Sequence, residues 1–207
     1  MIILNWDGTL VDTVPRLRSE AVRLISENWP NLSPEDRVEL YDSTIGNSFG
    51  DQLEELFPGD IRNELIAQQY ATTHRSIYMT AQLFSGVEES LVELSERHGI
   101  CTSSPQKLVK NCPVFLPIQA SSYFWGITGR ELGRKKQQLL NWKHWFKDVT
   151  FIADSVRDWT YALEAKIKFI AVETTFLRRT WQQLGVPSCT TLENAISAAL
   201  LGHVWTP

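Results

Sequence analysis

The chain has 207 residues, 43% hydrophobic and 21% charged, enough for one well-buried core and a smaller appended unit of ordinary globular composition. Its net charge of −4 supplies no basic excess to replace counterions, so nucleic acid is not an expected partner. Three cysteines without CxxC spacing and four scattered histidines argue against a disulfide framework or a zinc site; with no membrane-length apolar run and no signal-peptide pattern, a cytoplasmic protein without a membrane partner is expected.

The first element is a short apolar run, Met1-Ile2-Ile3-Leu4, which stops at polar Asn5. Runs of this kind, ended by turn residues, are expected as buried strands of a parallel sheet. From Pro15 to Gln82 the pattern is helical. Leu17, Ala21, Val22, Leu24 and Ile25 mark one amphipathic helix, Val38 and Leu40 a second, Leu53 and Leu56 a third, and Ile61, Leu65, Ile66 and Tyr70 a long fourth. Pro30, Pro34, Gly46, Pro58 and Gly59 punctuate them. Beyond this stretch Val87, Leu91 and Leu94 recur at helical spacing before a second strand, Gly99 to Thr102. A weaker strand signal covers Tyr123 to Ile127. Leu139, Leu140 and Trp142 mark a helix before a strand at Val149 to Ala153; Trp159, Ala162 and Leu163 mark one between it and a strand at Ile167 to Val172.

Strands alternating with helices predict an α/β fold with a doubly wound, parallel, Rossmann-like sheet. The helical stretch predicts a small all-helical cap domain over residues 15–83, inserted after the first strand, with residues 1–14 and 84–207 forming the core. Thr13 to Pro15 and Phe84 to Gly86 are the expected hinges. Ligands of such sheets bind beyond the carboxyl ends of the strands, where the polar residues of interest fall.

Four polar groups stand at those ends. Asn5-Trp6-Asp7-Gly8-Thr9-Leu10-Val11-Asp12 follows the first strand, and Thr102-Ser103-Ser104-Pro105 ends the second. Lys135 and Lys136 open a helix, and Asp154-Ser155-Val156-Arg157-Asp158 follows the Val149 strand. Each has a plain structural explanation taken alone: a turn at Asp7-Gly8, a helix cap at Thr102 to Ser104, a solvated lysine pair, acids at a helix N-terminus. Their shared order and context are harder to explain separately.

In that order they resemble the four motifs of the haloacid dehalogenase superfamily, over nearly the whole chain. The first motif there is a strand followed by Asp-x-Asp-Gly-Thr; here Asp7, Gly8 and Thr9 match, while Asn5 replaces the first aspartate. Thr102 matches the second motif, Lys135 or Lys136 the third, with Lys135 better spaced to the leucine pair, and Asp154 with Asp158 the fourth; Ala153 stands where Gly is usual. The resemblance implies a phosphatase of small phosphorylated metabolites. In the family the first aspartate attacks the phosphoryl group to form an aspartyl-phosphate, and the second, Asp7 here, handles the leaving-group proton. Mg2+ is implied as cofactor, held by position 5, the Asp7 carbonyl and Asp154, with Asp158 nearby. Thr102 and the lysine would hold phosphoryl oxygens, and Thr9 and Ser103 are further candidates for substrate contact. The helical insert resembles the cap of phosphoglycolate-phosphatase-like members, in which the loop containing Gly46 and Asn47 would face substrate.

Asn5 is the departure that matters. An amide is a poor nucleophile, so the chain is expected to be inactive or ligand-trapping, whether as a deliberate substitution or a natural inactive relative. The alternative is a non-catalytic binding or regulatory protein, in which some of the eight tryptophans, such as Trp142, Trp145, Trp159 and Trp181, serve an interface. A phosphonatase is disfavoured because residues 15–82 contain no lysine for a Schiff base. A P-loop at Gly126 to Lys136 is discounted because no Ser or Thr follows the lysine.

Overall fold

The computed structural model describes every residue from Met1 to Pro207. Its first strand, β1 (Ile2–Leu4), leads into four helices: α1 (Val14–Asn28), α2 (Pro34–Thr44), α3 (Phe49–Leu56) and α4 (Asn63–Met79). There follow α5 (Val87–Glu93), β2 (His98–Cys101), the short α6 (Gln106–Lys110) and α7 (Phe115–Gln119), β3 (Phe124–Thr128), α8 (Lys135–Trp145), β4 (Thr150–Ala153) and α9 (Val156–Ala165). The chain ends with β5 (Lys168–Val172), α10 (Arg178–Leu184), β6 (Ser188–Cys189) and α11 (Leu192–Leu200).

The six strands form one sheet in the order β3-β2-β1-β4-β5-β6, and every pairing is parallel. Strand order reverses at β1, which pairs with both β2 and β4. That is the switch point at which a doubly wound sheet opens a crevice. The α/β class with a helical cap after the first strand is therefore as the sequence predicts.

Side-chain alternation distributes the strands over two cores. Ile2 and Leu4 of β1, Ile152 of β4 and Ile170 with Val172 of β5 join a core of 32 buried residues that continues into the cap. Ile3, Phe151, Phe169 and Ala171 point the other way, into a core of 15 that includes Leu139, Trp142 and Trp181. Gly99 is needed on this side: a Cβ there would lie 2.5 Å from the Trp142 ring.

Local chemistry sets the helix starts. Pro15 sits in the first turn of α1. Ser33 and Asp36 form a capping box for α2, Ser48 caps α3, and Ser155 caps α9. The cap helices bury different faces from some expected. α2 buries Tyr41 and Thr44 rather than Val38 and Leu40. Ile61 precedes α4 and is 96% exposed, whereas Ile66, Tyr70, Ile77 and Tyr78 carry the packing. Leu140 and Leu163 also face outward.

The two chain segments joining the helices to the sheet run side by side. Val11 bridges Leu83, Asp12 N–H donates to the Gln82 carbonyl at 3.0 Å, and Phe84 N–H to the Leu10 carbonyl at 3.0 Å. No helix is long and apolar enough to cross a membrane.

Candidate functional site

Beyond the carboxyl ends of the strands lies a cavity of about 440 Å³, with the sheet below and α1 to α4 above. Asn5, Asp7, Lys135, Asp154 and Asp158 line its floor, and Ile45, Phe49, Tyr41, Tyr70 and His74 line its roof. Residues from four distant stretches of sequence thus meet in one place.

Asn5 is placed by β1, whose hydrogen bonding continues one residue further through Asn5 N–H to the Ile152 carbonyl at 2.9 Å. Trp6, wholly buried near Tyr78 and Phe115, anchors the turn that follows. Gly8 completes that turn at φ +74°, where a side chain is strained, and a Cβ there would lie 2.1 Å from the Asp154 carboxylate. The turn and β4 can therefore approach only as closely as glycine allows.

The floor is a continuous polar network. The Asn5 amide nitrogen donates to Asp154 Oδ1 at 2.8 Å and to the Asp7 carbonyl at 2.6 Å. Lys135 Nζ donates to Asn5 Oδ1 at 2.9 Å and to Asp158 Oδ1 at 2.6 Å. Thr9 Oγ1 donates to Asp154 Oδ1 at 2.9 Å, and Thr175 donates to Asp154 Oδ2. The other oxygen of Asp158 has no partner although it is buried. Burial, and then repulsion from Asp158, push the Asp154 carboxyl up to about 6. Burial pulls the Lys135 ammonium down, but the Asp158 charge and the hydrogen bond to it prevail and its pKa rises.

Asp7 faces the roof. Its Oδ1 accepts from Thr13 at 2.6 Å; its Oδ2 accepts from Tyr78 at 2.5 Å and from Ser104 at 3.2 Å. Tyr70, His74 and Tyr78 succeed one another along α4 at four-residue steps, with His74 edge-on to the Tyr78 ring at 4.5 Å. Burial drives the Tyr78 hydroxyl pKa well up, reinforced by the Asp7 charge, and burial lowers that of His74. Arg75, Lys107 and Arg130 line the cavity with exposed cationic side chains.

Not every expected residue reaches the cavity. Lys136 lies on the outer surface, half exposed and paired with Glu164 at 3.0 Å, because consecutive helix positions face different directions; Lys135 alone reaches the floor. Thr9 spends its hydroxyl on Asp154 and does not line the cavity. Thr102 is also buried out of reach: its Oγ1 accepts from Ser104 N–H at 3.1 Å, and Ser103 and Ser104 present themselves instead. Gly46 and Asn47 do line the cavity, and they also tie the cap to the core, with Ser103 donating to the Gly46 carbonyl and Tyr161 to Asn47 Oδ1. Thr175, Tyr78, His74 and the three cations were not singled out in the sequence, where Thr13 and Ser104 stand only as part of a hinge and of a helix cap. The four-residue stripe on α4 and the polar Thr174-Thr175 after β5 were the available signals.

Magnesium, which haloacid dehalogenase phosphatases generally use, requires several oxygen ligands in near-octahedral geometry. The residues present do not fit it as they are bonded. Two of the expected ligand oxygens, the Asp7 carbonyl and Asp154 Oδ1, accept from Asn5, which turns nitrogen rather than oxygen toward them.

The motif-bearing strands, the switch-point cleft and the helical insert define a class, and the model of one family within it, the haloacid dehalogenase-like hydrolases, matches residues 2–172. The chain belongs to that family. Solved structures share the fold at low identity. A hydrolase from Pseudomonas syringae matches with a TM-score of 0.77 at 16% identity, covering 95% of each chain. A predicted phosphatase from Clostridium acetobutylicum matches with 0.75 at 18%, over 96% of this chain and 97% of the other. A phosphoglycolate-phosphatase-like protein from Lactobacillus plantarum matches with 0.72 at 17%, over 95% of this chain and 97% of the other. No protein among the curated ones matches the chain.

Proposed function

We propose that this chain binds a small phosphorylated metabolite in the cavity as a member of the phosphatase lineage, and that Asn5 leaves it without turnover through an aspartyl-phosphate. One observation supports the reading: an amide, held by Lys135 at 2.9 Å, stands at the end of β1, where the motif resemblance puts the attacking carboxylate. An amide oxygen lacks the charge and nucleophilicity to displace an alcohol from phosphorus. The remaining parts suit an anionic ligand. Arg75, Lys107 and Arg130 on the cavity wall supply positive charge, and Asp7 stands oriented by three hydroxyl donors for the proton transfer that the lineage assigns to it.

The test is p-nitrophenyl phosphate hydrolysis with magnesium. The chain as it stands is expected to show no turnover, and Asn5→Asp to raise the rate at least about a hundredfold, with magnesium dependence appearing in that variant. Ordinary turnover by the Asn5 form would defeat the assignment of position 5.

A second reading, a non-catalytic partner-binding protein, is favoured by one surface. Trp125, on the edge strand β3, and Trp145, on α8, are 48% and 44% exposed with ring centroids 5.3 Å apart. Failure to bind inorganic phosphate, together with protection of these tryptophans by a partner, would favour it over the first.

A further inference from the structure

We propose that the Asn5 amide nitrogen takes the place of a divalent cation in this cleft, so that the site works without a metal. The inference rests on the lineage reading above and adds how this chain's own residues complete the site.

The orientation of the amide follows from its partners. An ammonium only donates, so the group 2.9 Å from Lys135 Nζ is the Asn5 oxygen. A backbone carbonyl and the carboxylate of Asp154 accept, so the group facing them at 2.6 and 2.8 Å is the nitrogen. All three contacts agree on one rotamer. That rotamer puts two N–H bonds onto the oxygens a metal at this position would need.

Metal binding through Asn5 requires the amide to turn over. The amide N–H2 would then face the Lys135 ammonium, donor against donor, in surroundings where Asn5 and Lys135 are 4% and 3% exposed. Asp154 is also engaged elsewhere: Oδ1 takes a second bond from Thr9 and Oδ2 one from Thr175. The remaining free carboxylate oxygen, Asp158 Oδ2, belongs to a group whose other oxygen is held by Lys135 at 2.6 Å. Asp158 Oδ2 is the one carboxylate oxygen of this set without a hydrogen bond, and the amide removes a unit of charge from the set on which affinity for a hard cation depends. No cluster of three or more acidic, histidine or cysteine side chains is arranged to hold a metal.

The experiment compares the wild-type chain with Asn5→Asp, both checked for folding by circular dichroism. Manganese serves as a paramagnetic probe in EPR titrations, and inorganic phosphate as the anion in calorimetry with either EDTA or magnesium. The wild type is expected to leave manganese free at millimolar concentration while Asn5→Asp binds it at least tenfold more tightly, and wild-type phosphate affinity is expected to be equal in EDTA and magnesium. Manganese binding by the wild type within threefold of the variant, or phosphate binding that appears only with magnesium, overturns the inference. Should Asn5→Asp misfold, Asp154→Asn decides by sign. Removing a negative charge tightens phosphate binding at a metal-free site, whereas a metal-mediated site loses at least tenfold with its ligand. The two readings fail separately: manganese binding by an inactive wild type sinks only the metal-free inference, and an Asn5→Asp form that binds manganese without hydrolysing p-nitrophenyl phosphate sinks only the lineage reading.

Discussion

The floor and the roof of the cleft are built on opposite principles. The floor is charged and buried: Lys135, Asp154 and Asp158 are almost wholly inaccessible and depend on one another for compensation. The roof is aromatic, with Tyr41, Tyr70 and His74 presenting one polar tip each from an apolar body and Tyr78 fully buried behind them. Removing the lysine from the floor therefore strands a charge, while a change in the roof or behind it loses one or two hydrogen bonds and some packing. The lesson is that the same cleft should respond to substitution by amounts that differ several-fold, according to which side is touched.

The sharpest way to break this contrast is Lys135→Met. It removes the only side chain bonded to the Asp158 carboxylate and leaves that charge uncompensated, so stability should fall by about 3–5 kcal/mol in urea denaturation. A loss below about 1 kcal/mol would mean the floor is wetter than its burial implies. Asp154→Asn should act in the other direction. The Asp154 carboxyl, held at about 6, keeps its proton in the folded chain over a range where the unfolded chain has lost it. Stability therefore falls as pH rises from about 4 to 6 and stays at the lower level above that. An amide does not titrate, so the variant should gain roughly 1–3 kcal/mol at pH 8 and almost nothing near pH 4, read from thermal melts across pH. A flat difference between the two forms would contradict the shift.

Behind the roof, Tyr78→Phe deletes the bonds to Asp7 and Ser104 at 2.5 and 2.8 Å while keeping the ring. The expected loss is about 1–2 kcal/mol, measured by the same melts. Lys136→Ala provides the baseline. Its partner Glu164 is exposed like itself, and stability should change by less than about 0.5 kcal/mol, with phosphate affinity unaltered.

The sheet was legible because its strands are short apolar runs stopped by polar residues, and this signal found β1, β2, β4 and β5 to within a residue or so. β6 left no such trace, being only Ser188–Cys189 and half buried. In the site, motif order located the strand ends that meet, but not the direction of individual side chains. Thr9 and Thr102 stand in the matching positions and turn away from the cavity, because a neighbouring backbone N–H or carboxylate claims each hydroxyl. Lys135 and Lys136 are equivalent in composition and separated only by the 100° between successive helix positions. The rotamer of Asn5 was beyond any local reading, since it is fixed by a lysine 130 positions away.

The loop at Gly46 has a kinetic consequence. Ser103 holds its carbonyl, Tyr161 holds Asn47, and Arg157 reaches Glu55 beyond it, so this side of the cap is fastened to the core before any ligand arrives. A molecule whose path ran on that side would wait for this fastening to spring open, and the same fastening would detain it once inside. Association and escape would then share one slow step, and residence time would be governed as much by this clasp as by the contacts within.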